Sequence, residues 1–270
     1  MIDIQVYSDI HIELLNTLPI IPVKSKYLFL AGDICTQNHP LFYPFFDYCS
    51  HYWEKVFYIP GNHEFYIKDK NYNELSFNYN YKLKERYSNV FYLDNTFVSL
   101  NDEINVYGST FWTIPPFSST REAQSYINDY NWITYFKQSA DKVVNLDITY
   151  VKELANTAVT SLEKYLNETT KKTIIMTHFP PLRDGVINPK YLRNPEITDS
   201  YFTWSNNTIN NFKLDMVPLW ISGHTHWSYD FHIKELNNTR FISNQLGYKQ
   251  ELGKTRLNEE GLYKIDVYTF

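Results

Sequence analysis

Six short apolar runs, rich in β-branched and aromatic side chains, recur at residues 4–7, 27–31, 56–59, 104–107, 173–176 and 219–221. Continuous apolar character over so few residues, bounded by polar or glycine positions, predicts strands buried on both faces. Val151, Leu154, Ala155, Ala158, Leu162, Tyr165 and Leu166 instead fall at helical spacing and predict one amphipathic helix with its apolar stripe in the core. Strands alternate with helices in the first half, and residues 229–268 are strand-rich. That order predicts an α/β sandwich with a mixed sheet rather than an all-parallel one. No internal repeat is present. Two segments break the alternation: residues 115–138, opened by Pro115 and Pro116, and residues 180–212, which carry Pro180, Pro181, Pro189 and Pro195. They are expected to be insertions over one sheet edge, within a single domain spanning residues 1–270.

Composition then limits the function. A chain of 270 residues that is 43% hydrophobic and 20% charged can bury a substantial core. Its net charge of -5 excludes a broad basic surface that tracks duplex DNA or RNA, and leaves small phosphorylated ligands open. Cys35 and Cys49 are the only cysteines, so neither a disulfide framework nor a thiolate zinc site is expected, and both should be reduced. No run approaches the roughly 20 apolar residues of a membrane span. A cytoplasmic protein with no membrane partner is the expectation; no pattern sets an oligomeric state.

The chemistry gathers where the predicted strands end. The first runs into Ser8-Asp9-Ile10-His11, the second into Gly32-Asp33, and the third into Gly61-Asn62-His63-Glu64. The run at 173–176 leads to His178, and the run at 219–221 leads to Gly223-His224-Thr225-His226. Alone, Asp9 and His11 read first as an ordinary turn aspartate and an exposed histidine, Asp33 is compatible with a helix cap, and His178 reads as a hydrogen-bonded structural residue. Together they put five of the eight histidines at strand ends, where open α/β sheets place their ligand crevices.

These blocks, in this order, resemble the calcineurin-like metallophosphoesterases. A looser similarity, including Asn128-Asp129-Tyr130 and the Gly247-Tyr248 region, extends toward small bacterial-type members. The resemblance implies an α/β/β/α sandwich with mixed sheets and metals at the C-terminal ends of strands. It also implies that Asp9, His11 and His226 hold one metal and Asn62, His178 and His224 a second, with Asp33 bridging both. A donor set of carboxylate, amide oxygen and imidazole without thiolate suits two divalent ions from among Mn, Fe, Zn, Co and Ni, with Mn favoured here. Such a pair can activate a water and clamp the oxygens of an in-line displacement. His63 adjoins Asn62 without being needed by either metal. It is expected to donate a proton to the leaving oxygen or to hydrogen-bond a phosphoryl oxygen, unless it only orients the site. Glu64 reads as a helix-start carboxylate.

The departures from the family pattern narrow the substrate. Asp33 is followed by Ile34-Cys35-Thr36-Gln37, where protein serine/threonine phosphatases carry Asp-Arg-Gly, so that subclass is not expected. The same departure leaves no carboxylate identified to orient His63. Phe179 stands where close bacterial-type relatives often carry a second histidine. In and beside the two insertions lie Trp112, Phe117, Tyr126, Tyr130, Trp132, Tyr201 and Trp204, with Arg121, Arg183 and Arg193. They read either as a rim that stacks a flat group and meets phosphate, with Arg121, Arg183 and Trp204 as candidate contacts, or as core. Trp227 fits a pocket wall or packing beneath it. His39, His51 and His232 have no partner at ligand spacing and read as structural or solvated. The leading expectation is a metal-dependent phosphodiesterase acting on a small phosphorylated substrate, nucleotides included. A phosphomonoesterase or pyrophosphate-cleaving hydrolase is the alternative within the enzyme class, and a non-catalytic binding scaffold the alternative outside it.

Overall fold

The computed structural model describes residues 1–114, 119–192, 206–251, 254–255 and 257–265. In chain order its strands are β1 (Ile2–Tyr7), β2 (Tyr27–Ala31), β3 (Lys55–Ile59), β4 (Val90–Tyr92), β5 (Thr96–Ser99), β6 (Ile104–Ser109), β7 (Thr134–Lys137), β8 (Lys142–Asn145), β9 (Lys172–Thr177), β10 (Leu219–Ile221), β11 (Tyr229–Ile233), β12 (Thr239–Ser243) and β13 (Leu262–Ile265). The helices that matter below are α1 (Phe42–Tyr52), α2 (Tyr72–Arg86), α3 (Thr120–Tyr126), α4 (Asp129–Trp132) and α5 (Ile148–Glu168). All six apolar runs became strands, and the predicted stripe lies on α5.

One sheet has the order β13-β1-β2-β3-β4 and the other β11-β12-β10-β9-β6-β5, while β7 and β8 form a separate hairpin. Neighbours from β1 to β4 are parallel and β13 is antiparallel. In the second sheet β12, β10, β9 and β6 run parallel, with β11 and β5 antiparallel at the edges. Both sheets are therefore mixed, as the strand-rich C-terminal region foretold.

The period-two alternation of strand side chains sorts the core into layers. Ile4, Val6, Phe29, Ala31, Phe57 and Ile59 of the first sheet share one cluster with Val106, Ile174, Met176, Leu219, Ile221 and Ile242 of the second. Their neighbours Leu28, Leu30, Val56 and Tyr58 belong to a different cluster, with Phe42, Phe45 and Phe46 of α1 and Leu75, Tyr79 and Leu83 of α2. Tyr107, Ile175, Trp220 and Phe241 join that cluster with Val151, Ala155, Ala158 and Leu162 of α5. Helix, sheet, sheet and helix thus stack in the expected order. The Asp147 side chain caps α5 by accepting from the Tyr150 amide at 2.8 Å. Tyr107 ties the helix to its sheet by donating to Ser161 Oγ at 3.1 Å.

Register brings the strand ends level. Tyr7 pairs with Leu30 and Ala31 with Ile59 in one sheet, and Ser109 with Thr177 and Met176 with Ile221 in the other. The loops that follow β1, β2, β3, β9 and β10 therefore open on one rim of the sandwich. Segment 115–138 carries α3, α4 and β7, and segment 180–212 includes a short turn at Pro189–Tyr191. Phe117, Arg193, Tyr201 and Trp204 lie outside the described residues. Among the described residues, no helix is long and apolar enough to cross a membrane.

Candidate metal centre

The loops at this rim turn in an unusual way. Asp9, His11, Asp33, His224 and His226 all have positive φ, between 50° and 72°. Left-handed backbone is uncommon outside glycine and costs on the order of 1 kcal/mol or more per residue. Five such residues together mark a place where side-chain direction outweighs backbone comfort. The glycines beside them give the room: a Cβ on Gly61 would overlap Asp33 Oδ1, and one on Gly223 would overlap Ser8 Oγ.

These turns bring all seven residues of the expected donor set together with His63. Asp9, His11 and His226 each offer one atom within 4.8 Å of the others, and so do Asp33, His178 and His224. Asn62 Oδ1 completes the second group, 3.1 Å from His178 Nε2 and 3.2 Å from His224 Nδ1. Asp33 lies between the groups. Its Oδ1 is 3.4 Å from His178 Nε2 and its Oδ2 is 3.9 Å from His11 Nε2.

Whether these atoms fit cations follows from where their protons are. His178 Nδ1 lies 2.9 Å from the Ala31 carbonyl, which only accepts, so Nδ1 carries hydrogen and Nε2 turns its lone pair toward Asp33 and Asn62. Asn62 Nδ2 donates to Asp129 Oδ1 at 2.9 Å, which turns its Oδ1 the same way. In the other group His11 Nδ1 meets Glu13 Oε1 at 3.0 Å and His226 Nδ1 meets Glu251 Oε2 at 2.5 Å. Their Nε2 atoms then face each other at 3.1 Å. Lone pairs converging this closely repel unless a proton or a metal ion lies among them, and this donor set would fit divalent ions.

Protonation without ions tells the same story. Burial lowers the His178 pKa, but the charge of Asp33 outweighs it and raises the value to about 9. His226 is likewise lowered by burial, and contacts with Asp9 and Glu251 carry it up to about 10. Burial pushes Asp33 up, while His178, His63 and His11 hold it well below the usual carboxylate range. The pocket is a concentrated negative field in which protons and metal ions compete for the same atoms.

Several supporting residues have roles in the structure that the sequence reading did not assign them. Glu13 Oε1 lies 3.1 Å from His63 Nδ1, so a carboxylate does meet that ring, although the Asp-Arg-Gly block is missing. Its signal was present as the i, i+2 continuation of Asp9 and His11. Asp129, at the start of α4, also accepts from Tyr66 Oη. Glu251 had no signal. Glu64 does more than begin a turn: fully buried, it accepts from the amides of Asp33, Ile34 and Gly61 and from Tyr58 Oη, tying the β2 and β3 loops together.

A cleft of about 210 Å³ stands over this floor. Tyr66, Trp112, Tyr126, Tyr130, Phe179, Tyr191 and Tyr248 wall it. Trp112 and Tyr130 thus serve as core and wall at once. Phe179 packs its ring 4.0 Å from that of His224, filling the place of the second histidine with an apolar surface. Arg121 is exposed on α3 and Arg183 half-buried, and neither is among the cleft's described lining residues. Trp227 packs against the core.

The fold and the paired donor groups define a metal-dependent phosphoester hydrolase. A family model described as calcineurin-like phosphoesterase matches residues 3–228, and the chain belongs to that family. It is 29% identical to uncharacterized protein L509 of Acanthamoeba polyphaga mimivirus over 234 residues, covering 85% of this chain and 81% of that protein. Its fold is similar to the crystal structure of the phosphopantetheinyl hydrolase of Mycobacterium tuberculosis. That match has a TM-score of 0.66 and 16% identity, and covers 98% of this chain and 96% of the other.

Proposed function

We propose that the protein is a binuclear phosphodiesterase acting on a small phosphorylated substrate, nucleotide-like esters included. The observation that carries this reading is the convergence of Asp9, His11 and His226 on one side of Asp33, and Asn62, His178 and His224 on the other. In this reading those six residues together with Asp33 would hold two divalent ions, with Mn favoured. When bound, the ions supply Lewis acidity, drawing charge from the phosphoryl oxygens and lowering the pKa of an attacking water. The chain's own contribution is placement. Asp129 fixes the amide of Asn62, Glu251 fixes His226, and His63 presents Nε2 to the cleft 3.3 Å from Tyr248 Oη. From there His63 acts as the general acid that protonates the leaving oxygen.

A diester is favoured over a monoester by charge. Among the described residues lining the cleft there is no lysine or arginine, and a dianionic monoester calls for more positive charge than a monoanionic diester. The aromatic walls suit a flat or apolar arm on the ester. Because one structural neighbour is a phosphopantetheinyl hydrolase, a phosphopantetheine ester belongs among the candidates. A reducing compartment such as the cytoplasm matches the two free, buried thiols.

The test is a Mn-supplemented panel: a generic diester, its matching monoester, cyclic nucleotides, nucleoside diphosphate esters and a phosphopantetheine ester. Preference for diesters is expected. Absence of hydrolysis across the panel, together with no transition metal in protein purified without chelator, would overturn the reading in favour of a binding scaffold.

A further inference from the structure

Glu13 belongs to none of the blocks that carry the family resemblance, yet it lies at the centre of the site. It sits in the short turn Ile12–Leu14, two residues past His11, and is 13% exposed. A single oxygen makes both of its contacts: Oε1 is 3.0 Å from His11 Nδ1 and 3.1 Å from His63 Nδ1. The two rings meet edge to face with centroids 4.5 Å apart, which lets one atom reach both. Among the described residues, the buried Oε2 has no hydrogen-bond partner. A carboxylate serving only to brace the fold would be expected to satisfy both oxygens, since a buried unpaired one costs stability. Here everything is spent on two histidine nitrogens.

The consequence is a matter of tautomers. A carboxylate oxygen can only accept, so each ring must carry hydrogen at Nδ1. His11 is then left with its Nε2 lone pair facing His226, and His63 with Nε2 aimed into the cleft toward Tyr248. The described hydrogen bonds of the His63 ring are those to Glu13 and Tyr248; Asp33 contacts only its backbone amide, at 2.9 Å. Among the described residues, no other carboxylate hydrogen-bonds that ring.

We propose that Glu13 is a positioning residue that holds the Nδ1 hydrogens of both His11 and His63 through one shared oxygen, leaving the His11 Nε2 lone pair to the metal side and pointing His63 Nε2 into the cleft. As proton donor His63 acts as the imidazolium, with hydrogen on both nitrogens, and returns to the Nδ1–H form when Nε2 gives up its proton. The catalytic half of this rests on the role assigned to His63 under the proposed function. Glu13 takes the place left vacant by the missing aspartate, and reaches His63 from the β1 loop instead of the β2 loop.

The test compares two diesters, one with an alkanol leaving group and one with 4-nitrophenolate, at saturating Mn. For Glu13→Ala, kcat on the alkyl ester is expected to fall about 100-fold, with no more than a few-fold loss on the nitrophenyl ester, which needs no proton donor. His63→Ala should show the same pattern, and the double variant should lose little more than either alone. Glu13→Gln keeps the volume and one accepting oxygen, and should fall between. Nitrogen-15 NMR of the zinc-loaded protein gives a readout independent of turnover. Neutral His63 should carry its proton on Nδ1 in the parent protein and on Nε2 in Glu13→Ala. Equal loss on both esters with an unchanged tautomer overturns the proposal. A parent protein that hydrolyses no ester overturns the proposed function instead, and the NMR result then decides the Glu13 assignment by itself.

Discussion

Asp33 and Tyr126 both line the cleft, but Asp33 is 2% exposed at the end of a central strand and Tyr126 is 51% exposed on a seven-residue helix. The same division runs through the whole site. Its floor is made of polar side chains at level strand ends, and His11, Asn62, His178 and His226 are each fixed by a further residue behind them. Its wall is made of aromatic rings, among them Tyr126 of α3, Tyr130 of α4 and Tyr191 of the turn at Pro189–Tyr191, of which Tyr126 and Tyr191 are open to solvent. Rigid elements hold chemistry to within tenths of an ångström, and mobile or exposed ones admit variety. The division therefore suggests that reaction type is set by the floor and substrate choice by the wall.

The strongest way to break this division is to empty the floor. Chelation should abolish ester hydrolysis and lower the melting temperature on the order of 10 °C, with both restored by Mn. A melting temperature unchanged by chelation would mean the loops do not depend on ions. Next, Asp33→Asn should cut kcat by roughly a thousand-fold while circular dichroism stays native, because the side chain that faces both groups loses its negative charge and one of its two accepting oxygens. Asp129 tests the seam, since it starts α4 in the wall yet holds Asn62 in the floor. Asp129→Ala should weaken metal binding about 10- to 100-fold, read by titration with Mn, and should leave leaving-group dependence unaltered. The smallest effect belongs to the wall itself. Tyr126→Ala should raise KM a few-fold with kcat nearly unchanged, and a comparable fall in kcat would show that the wall takes part in the chemistry.

Much of the floor could be read before any fold was known, and the reason is local. Each block is a strand followed at once by a glycine or a polar pair, so periodicity and chemistry coincide within a few residues. The runs at 27–31 and 219–221 match β2 and β10 residue for residue. What escaped is what depends on distant partners. Strand β4 is three residues long and β5 is a mostly exposed edge, so neither shows a buried apolar run. Strands β7 and β8 pair only with each other. Glu64 looks like a helix-start acid until the β2 loop, 30 and 31 residues away in sequence, supplies its donors. Glu13 and Glu251 acquire meaning only once His63 and His226 fold against them.

The left-handed turns at Asp9, His11, Asp33, His224 and His226 bear on how such a chain can change over generations. At each of them glycine would relax the backbone, so the substitutions that end catalysis are also ones the bare fold would welcome. A descendant released from hydrolysis has a downhill path, and glycine at these five positions would be its signature.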